Sequence, residues 1–146
     1  MAAANKTYLK KTQQEVVVKV EGDATNNVAT IDLDVDLVAS TEAAGAAGTQ
    51  VVNIVGMQWT GAAGGVITIQ RNTTVVAILQ ANSAGELDFG GQMMTPENTN
   101  NTSDIVVTIS GAAAQCWLRL RKSAGYNTKI QPEQYGIYDD TTSTSA

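Results

Sequence analysis

The clearest structural signal in the chain lies at residues 66–80, which read VITIQ-RNT-TVVAILQ. Two runs rich in β-branched residues flank Arg71-Asn72-Thr73, and this arrangement is typical of a β-hairpin. β-branched side chains favour strands because their restricted rotamers suit a pleated, half-buried surface. The sequence therefore predicts an antiparallel hairpin near the centre of the chain.

Further strand-like segments lie on both sides of this hairpin. Loops rich in Gly, Ala, Asn and Thr separate them, and no amphipathic helical pattern interrupts them. The additional predicted strands are residues 15–20, 31–37, 51–60, 86–89, 104–110 and 115–122. About eight short strands with regular turn signals predict one all-β domain, an antiparallel β-sandwich or jelly roll.

Residues 31–37 show the cleanest alternation of apolar and acidic side chains, IDLDVDL. This period of two predicts a strand with its aliphatic side chains on the core face and Asp32, Asp34 and Asp36 on the other. The aspartates do not match an EF-hand loop, because Leu37 and Ala43 stand where that loop needs Gly and Glu. We favour a solvated strand face and leave open a cation shared by the three carboxylates.

The same alternation predicts the core. Cys116 lies in an apolar run and is interpreted as a buried structural thiol. Trp59 and Trp117 are interpreted as core residues, because each lies among aliphatic neighbours. The full predicted core is Val18, Ile31, Leu33, Val35, Ile54, Trp59, Ile67, Ile69, Val76, Ile78, Phe89, Val107, Ile109, Trp117 and Leu118 or Leu120.

The predicted organisation has three parts: an irregular N-terminal arm (1–14), the sandwich domain (15–125) and an extended C-terminal arm (126–146). Tyrosine is favoured at interfaces because it combines apolar area with a hydroxyl group. Methionine makes adaptable contact surfaces. The candidate interface residues are Tyr126, Ile130, Tyr135 and Tyr138 in the arm, and Met93 and Met94 in the long loop before residue 104. Packing of the arm and the loop against their own domain is the alternative.

Composition excludes several classes of function. The formal net charge of −5 argues against general nucleic-acid binding, which needs a basic surface. The absence of histidine rules out Ser-His and Cys-His nucleophiles within the chain, and a single cysteine makes a zinc site implausible. No apolar stretch is long enough to span a membrane, and residues 1–11 lack the apolar segment of a secretory signal. We therefore expect neither an enzyme nor a bound cofactor or metal.

Several stretches resemble small structural proteins of tailed bacteriophages, especially marine ones. These stretches are VNIVGMQWTGAAGGVITIQRN, DIVVTISG, CWLRLRKSAGY and PEQYGIYDD, and the resemblance covers residues 15–138. It implies a compact β-sandwich that decorates or cements the capsid, often as a trimer. No functional residue is carried over, because such proteins share no active site.

The resulting expectation is a non-enzymatic virion protein, made in the host cytoplasm, that binds and stabilises the capsid shell. Its partners would be the major capsid protein or other virion proteins and further copies of itself, with a trimer favoured. One alternative is a neck, tail or fibre component. A second is a glycan-binding β-sandwich that uses exposed aromatic residues or the aspartate face with a cation.

Overall fold

Two five-stranded β-sheets pack face to face in the computed structural model, which describes residues 2–40, 42–88 and 101–128. This architecture confirms the predicted all-β sandwich. The strands are β1 (Ala2–Ala3), β2 (Asn5–Lys11), β3 (Glu15–Gly22), β4 (Asn26–Ile31), β5 (Glu42–Ala44), β6 (Val51–Gly61), β7 (Val66–Arg71), β8 (Thr74–Gln80), β9 (Gly85–Asp88), β10 (Ile105–Ser110), β11 (Ala114–Ala124) and β12 (Tyr126–Thr128). Among these residues no helix is long and apolar enough to cross a membrane.

Most neighbouring strands in the two sheets are far apart in the sequence. The first sheet has the order β1-β4-β10-β7-β8 and the second β2-β3-β11-β6-β9, while β5 and β12 form a separate ribbon. All described pairings are antiparallel except that of β1 with β4. The strands β10 and β11 follow one another in sequence but belong to different sheets, so the chain crosses from one layer to the other between them.

The predicted hairpin is confirmed as β7 and β8. Arg71 pairs with Thr74, so the connecting turn consists of Asn72 and Thr73. Asn72 has a φ of 56°. Asparagine tolerates this left-handed conformation better than most residues, which explains its place in the turn.

Both sheets contribute to one core. Alternate residues of β3, β10 and β11 face inward and are almost completely buried. The prediction is confirmed for Val18, Ile31, Leu33, Ile54, Ile67, Ile69, Val107, Ile109, Leu118 and Leu120, which are buried. Trp59 and Val76 are partly buried and pack against the core cluster, and Cys116 is buried as predicted.

Three predicted core residues are placed wrongly. Val35 and Ile78 are 66% and 60% exposed. Ile78 pairs with Thr68 on the outer face of the first sheet, because a bulge between the pairs of Ile69 and Gln70 shifts the alternation of β8. Trp117 lies between the buried Cys116 and Leu118, so it faces out of the second sheet. The predicted core residue Phe89 lies outside the described residues.

The predicted strand at 31–37 is also wrong beyond Ile31. β4 ends there, and residues 33–37 form a turn. Aspartate side chains accept hydrogen bonds from backbone N–H groups: Asp32 from Asp34 at 3.2 Å and Asp36 from Asp32 at 2.9 Å. Such local bonds compete with the strand ladder, so the alternation did not produce a strand.

The expectation of an irregular segment at 1–14 is wrong for residues 2–3 and 5–11, which form β1 and β2. β2 pairs with β3 from Asn5 to Lys11 as an edge strand of the second sheet. Its lysines are typical of an edge strand, where charge discourages further strand pairing. Residues 126–128 also form a strand, which pairs with β5, so the segment predicted as a C-terminal arm begins in regular structure.

Candidate interaction surfaces

The outer face of the first sheet carries no charged side chain on its described strands. In β7 and β10 the inward positions are buried aliphatic residues and Arg71, and the outward positions are Val, Thr, Gln and Ser. The members of this uncharged face are Asn26, Val28, Thr30, Val66, Thr68, Gln70, Val75, Ile78, Gln80, Val106, Thr108 and Ser110.

Two large aliphatic side chains stand exposed on this uncharged face. Val75 pairs with Gln70 and Ile78 with Thr68, both on β8 at the edge of the sheet. Val75 is 42% exposed and Ile78 is 60% exposed. A β-branched edge strand of this kind offers apolar area to a partner.

The outer face of the second sheet is charged, and both signs are interleaved. One cross-strand row consists of Thr7, Lys19, Trp117, Gln58 and Glu86. The next row places Arg119 and Asp88 on either side of Gly56. The two faces of the sandwich therefore differ in kind: one is neutral and the other is a mixed polar and aromatic surface.

A small groove lies on this charged face. Its volume is about 140 Å³, and Trp117, Arg119, Gln58, Glu86 and Asp88 contribute to its lining. Gly56 lies between Arg119 and Asp88, and the Arg119 guanidinium lies over it, so a Cβ on Gly56 would be 3.4 Å from Arg119 Cζ. A bulge at the adjacent Val55 shifts the pairing of β6 with β11 at this point.

Polar side chains of the groove contact one another across the strands. Arg119 Nη2 lies 3.4 Å from Asp88 Oδ1, and Gln58 Nε2 lies 3.3 Å from Glu86 Oε2. Lys19 Nζ lies 5.9 Å from the Trp117 ring centroid, within range of a cation–π contact.

A buried polar cluster lies where the segments after β2 and β4 and the start of β5 meet the end of β11. The Lys122 ammonium donates to the carbonyls of Thr12 at 2.9 Å and Leu37 at 2.7 Å, and it pairs with the Glu42 carboxylate. The side chains of Lys122 and Glu42 are 1% and 3% exposed. This cluster fixes loops to the sheet, and its charges are satisfied internally, so its role is structural.

Arg71 plays a similar part from the first sheet. It is fully buried, and its guanidinium donates to the carbonyls of Val52, Asn101 and Ser103. Burial lowers the pKa of Arg71 to about 10, and the Asp104 carboxylate partly opposes this shift. The side chain therefore stays charged at neutral pH and ties the loop before β10 to the start of β6.

Tyr126 is the one predicted interface residue that the structure describes. It is half-buried and packs against the core, and its hydroxyl donates to the Leu33 carbonyl at 2.5 Å. The Lys122 Nζ lies 4.4 Å from its ring centroid. Its contact with a partner stays a prediction. The other predicted interface residues, Ile130, Tyr135, Tyr138, Met93 and Met94, lie outside the described residues.

The three aspartates of residues 32–36 lie in the turn after β4. Asp36 pairs with Lys6 at 2.9 Å. Burial by itself would raise the Asp36 pKa, but the bond from the Asp32 N–H and the Lys6 charge bring this pKa below its ordinary value. A hydrogen bond with Asp34 raises the pKa of Asp32. No group of three or more His, Cys, Asp or Glu residues that could hold a metal ion occurs among residues 2–40, 42–88 and 101–128.

No known protein-family profile and no curated protein matches the sequence. Among solved structures, the chain is similar to an uncharacterized conserved protein with a double-stranded β-helix domain from Klebsiella pneumoniae. The identity is 14%, the TM-score is 0.39, and the match covers 88% of this chain and 86% of that one. The fold assignment therefore rests on the strands and their pairing in this protein.

Proposed function

We propose that this chain is a non-enzymatic virion structural protein, a capsid decoration protein that docks on the shell of major capsid proteins through the uncharged face of its first sheet. The observation that carries the proposal is the contrast between this neutral face and the charged face behind it. The resemblance of residues 15–138 to small phage structural proteins supports the choice of partner.

The chemistry of the uncharged face suits docking. Interface cores are depleted in charged residues, because each buried charge must be desolvated and then paired. Here docking buries Val75, Ile78 and neutral Thr and Gln side chains, whose hydroxyl and amide groups can exchange water for partner groups. With no charge on the face, electrostatic steering makes little contribution, so we expect binding that changes little with salt concentration.

The size of the face favours a repeated partner over an isolated one. Four strands of about six residues, at spacings of about 4.8 Å and 3.3 Å, give a footprint of about 400 Å². A standard stable interface buries about 800 Å² on each partner. A single contact of this size is weak, but many copies bound on a closed lattice, or linked as a homo-oligomer, reinforce one another. We favour a trimer for that oligomer.

The polar cluster around Lys122 and Glu42 gives the sandwich a rigid end. Residues of the segments after β2, β4 and β11 meet there, and Tyr126 packs over it. In the proposed mechanism the C-terminal arm, which begins at Tyr126 beside this end, contacts neighbouring subunits on the shell. The uncharged face and the terminal segment would then clamp the shell together.

The number of copies per virion tests the proposed location. Purified virions of the phage that encodes this chain are digested, and the protein is quantified against the major capsid protein by mass spectrometry. A decoration protein is expected at a fixed ratio to the capsid protein, in hundreds of copies. A few to a few dozen copies would favour a neck, tail or fibre component instead, and absence from the virion would contradict the proposal.

A further inference from the structure

We infer that copies of this chain associate head to tail, with the basic strand β2 of one copy against the acidic strand β9 of the next. Among the residues that the structure describes, β2 and β9 are the two terminal strands of the second sheet. This contact lies outside the uncharged face, so the inference does not rest on docking to the shell.

The two terminal strands carry charges of opposite sign. β2 contains three lysines and no acidic residue, while β9 contains Glu86 and Asp88 and no basic residue. The Lys6 ammonium pairs with a carboxylate of the turn after β4, but Lys10 and Lys11 are exposed, and so are both acidic side chains of β9. The second sheet therefore has two exposed cations at one edge and two exposed anions at the other.

This distribution of charge selects one way of joining the edges. Like charges that lie opposite each other destabilise a pair of strands, and opposite charges stabilise it. The lysines oppose contact between two copies of β2, and the acidic residues oppose contact between two copies of β9. Only the mixed contact brings opposite charges together, and a contact between different edges can repeat from copy to copy.

The register of the second sheet shows which residues would meet. β2 and β9 run in the same direction, because four antiparallel pairings connect them through β3, β11 and β6. A second copy that continues the sheet beyond β9 therefore presents its β2 parallel to β9. Each cross-strand row then passes from its last residue on β9 to its first residue on the next β2.

Two rows on the outer face end in complementary polar residues. One row begins at Lys10 and ends at Asp88, so its continuation places an ammonium beside a carboxylate. The neighbouring row begins at Thr7 and ends at Glu86, so its continuation places a hydroxyl donor beside a carboxylate. Both contacts are favourable hydrogen-bonding combinations, and the first also pairs opposite charges.

The row on the core side between these two ends in apolar residues. It begins at Tyr8, passes through buried aliphatic residues and Met57, and ends at Leu87. Tyr8 is partly buried and packs against the core cluster, whereas Leu87 is 41% exposed. Contact between the two side chains would remove apolar surface from water and extend the core row across the contact.

The charged groups can make these contacts in addition to those within the chain. Lys10 Nζ lies 2.6 Å from Glu15 Oε1, and an ammonium offers three donors. Arg119 Nη2 lies 3.4 Å from Asp88 Oδ1, and a carboxylate accepts at about four positions. The proposed contact therefore does not require either group to lose a partner.

A single contact of this kind is weak. A strand of seven residues against one of four buries much less than the roughly 800 Å² per partner of a standard interface. We expect a dissociation constant on the order of 0.1 mM for one contact. Copies that are held side by side, in a ring or on a particle, would reinforce one another.

Sedimentation velocity of the full chain, without any shell, tests the association at concentrations up to about 1 mM. Reversal of the β2 charges (Lys10→Glu with Lys11→Glu) should weaken self-association at least about tenfold, and so should reversal of the β9 charges (Glu86→Lys with Asp88→Lys). The four changes together leave the net charge unchanged and bring opposite charges back into contact. This combined variant should associate within about threefold of the wild type.

A mixture of the two edge-reversed variants provides a second test. Each variant presents the edge that the other needs, so the mixture should associate although neither variant does so alone. Ile78→Lys is the control for association through the uncharged face and should have no effect. Leu9→Lys only adds a positive charge to β2, so it should leave the association in place.

Circular dichroism and thermal unfolding confirm that each variant is folded. The inference is overturned if the folded wild type stays monomeric at about 1 mM. It is also overturned if only one of the two edge reversals weakens association, if neither the combined variant nor the mixture recovers it, or if Ile78→Lys separates the copies. No shell is present in these experiments, so this inference and docking to the shell fail separately.

Discussion

Removing one partner of the buried Lys122–Glu42 pair should destabilise the sandwich more than any exposed ion pair does. In Lys122→Met, the Glu42 carboxylate stays buried without its cation, and the carbonyls of Thr12 and Leu37 lose a donor. Breaking a buried pair from one side typically costs about 3–5 kcal/mol. That is a large part of the roughly 5–15 kcal/mol by which a domain is stable.

A double-mutant cycle separates the pair from the packing around it. Glu42→Leu alone leaves the Lys122 ammonium buried without its carboxylate, and the Ala39 N–H loses its acceptor at 3.1 Å. In the double variant neither charge is buried, so the loss in unfolding free energy should be smaller than the sum of the two single losses by about 1–3 kcal/mol. Urea unfolding followed by circular dichroism gives all four free energies.

Lys10→Met is the matched control for this cycle. Lys10 pairs with Glu15 at 2.6 Å, but the side chains are 52% and 34% exposed. Its loss should change the unfolding free energy by less than about 1 kcal/mol. If Lys122→Met costs no more than this control, or if the two single losses simply add, the reasoning that the pair is buried and coupled is refuted.

Two further predictions concern stability. Burial raises the pKa of Cys116 from 9.0 to about 12, so the thiol ionises in the unfolded chain first, and stability present below pH 9.0 is lost as the pH rises toward about 12. In this pH range the thiol should lower the unfolding free energy by about 1.4 kcal/mol per pH unit, so the decline should be shallower in Cys116→Ala. Urea unfolding at a series of alkaline pH values measures this decline. Equal declines in the two proteins would show that the folded thiol ionises normally. Gly125→Ala should cost more than Gly48→Ala: both glycines have positive φ, but a Cβ on Gly125 would lie 2.5 Å from Gln50 Cα, while one on Gly48 meets nothing within 4 Å. Gly48→Ala is the control and should lower the unfolding free energy by about 1–2 kcal/mol, because of the left-handed backbone alone. Similar losses in the two variants would contradict the crowding around Gly125.

Sequence patterns predicted the elements that form through interactions between residues close together in the chain. The hairpin of β7 and β8 follows from two β-branched runs around a turn with Asn72, and it formed as expected. Alternation misled at residues 33–37, because the aspartate side chains there bond to backbone N–H groups at short range. A short polar residue at every second position can thus indicate a turn as well as a strand face.

The candidate surfaces depend on strand order, which the sequence does not reveal. The outward residues of β7 and β10 can be read as neutral from their alternation, but only the pairing of β4, β10, β7 and β8 joins them into one face. The apolar neighbours of Trp117 predict a core residue, but its side chain faces out of the second sheet. The alternation of Cys116, Leu118 and Leu120 carries the signal that it faces outward. Arg119 covers Gly56 only because of the register between β6 and β11.

The buried charges were also hidden from sequence reasoning. Lys122 and Arg71 stand at strand ends, where basic residues are usually solvated. Their partners come from distant turns, such as Leu37 for Lys122 and Ser103 for Arg71. Only the folded structure shows that these charges are enclosed and satisfied.

Docking of two charge-insertion variants on the shell tests the central claim most directly. Ile78 and Leu9 are comparably exposed, at 60% and 56%, but Ile78 lies on the uncharged face and Leu9 on an edge strand of the other sheet. The assay is co-sedimentation of each folded variant with capsids that lack the protein. We predict that Ile78→Lys abolishes saturable binding, that Leu9→Lys binds like the wild type, and that wild-type binding changes little with salt. Equal binding of both variants, or failure of the wild type to bind the shell, would contradict docking through the uncharged face.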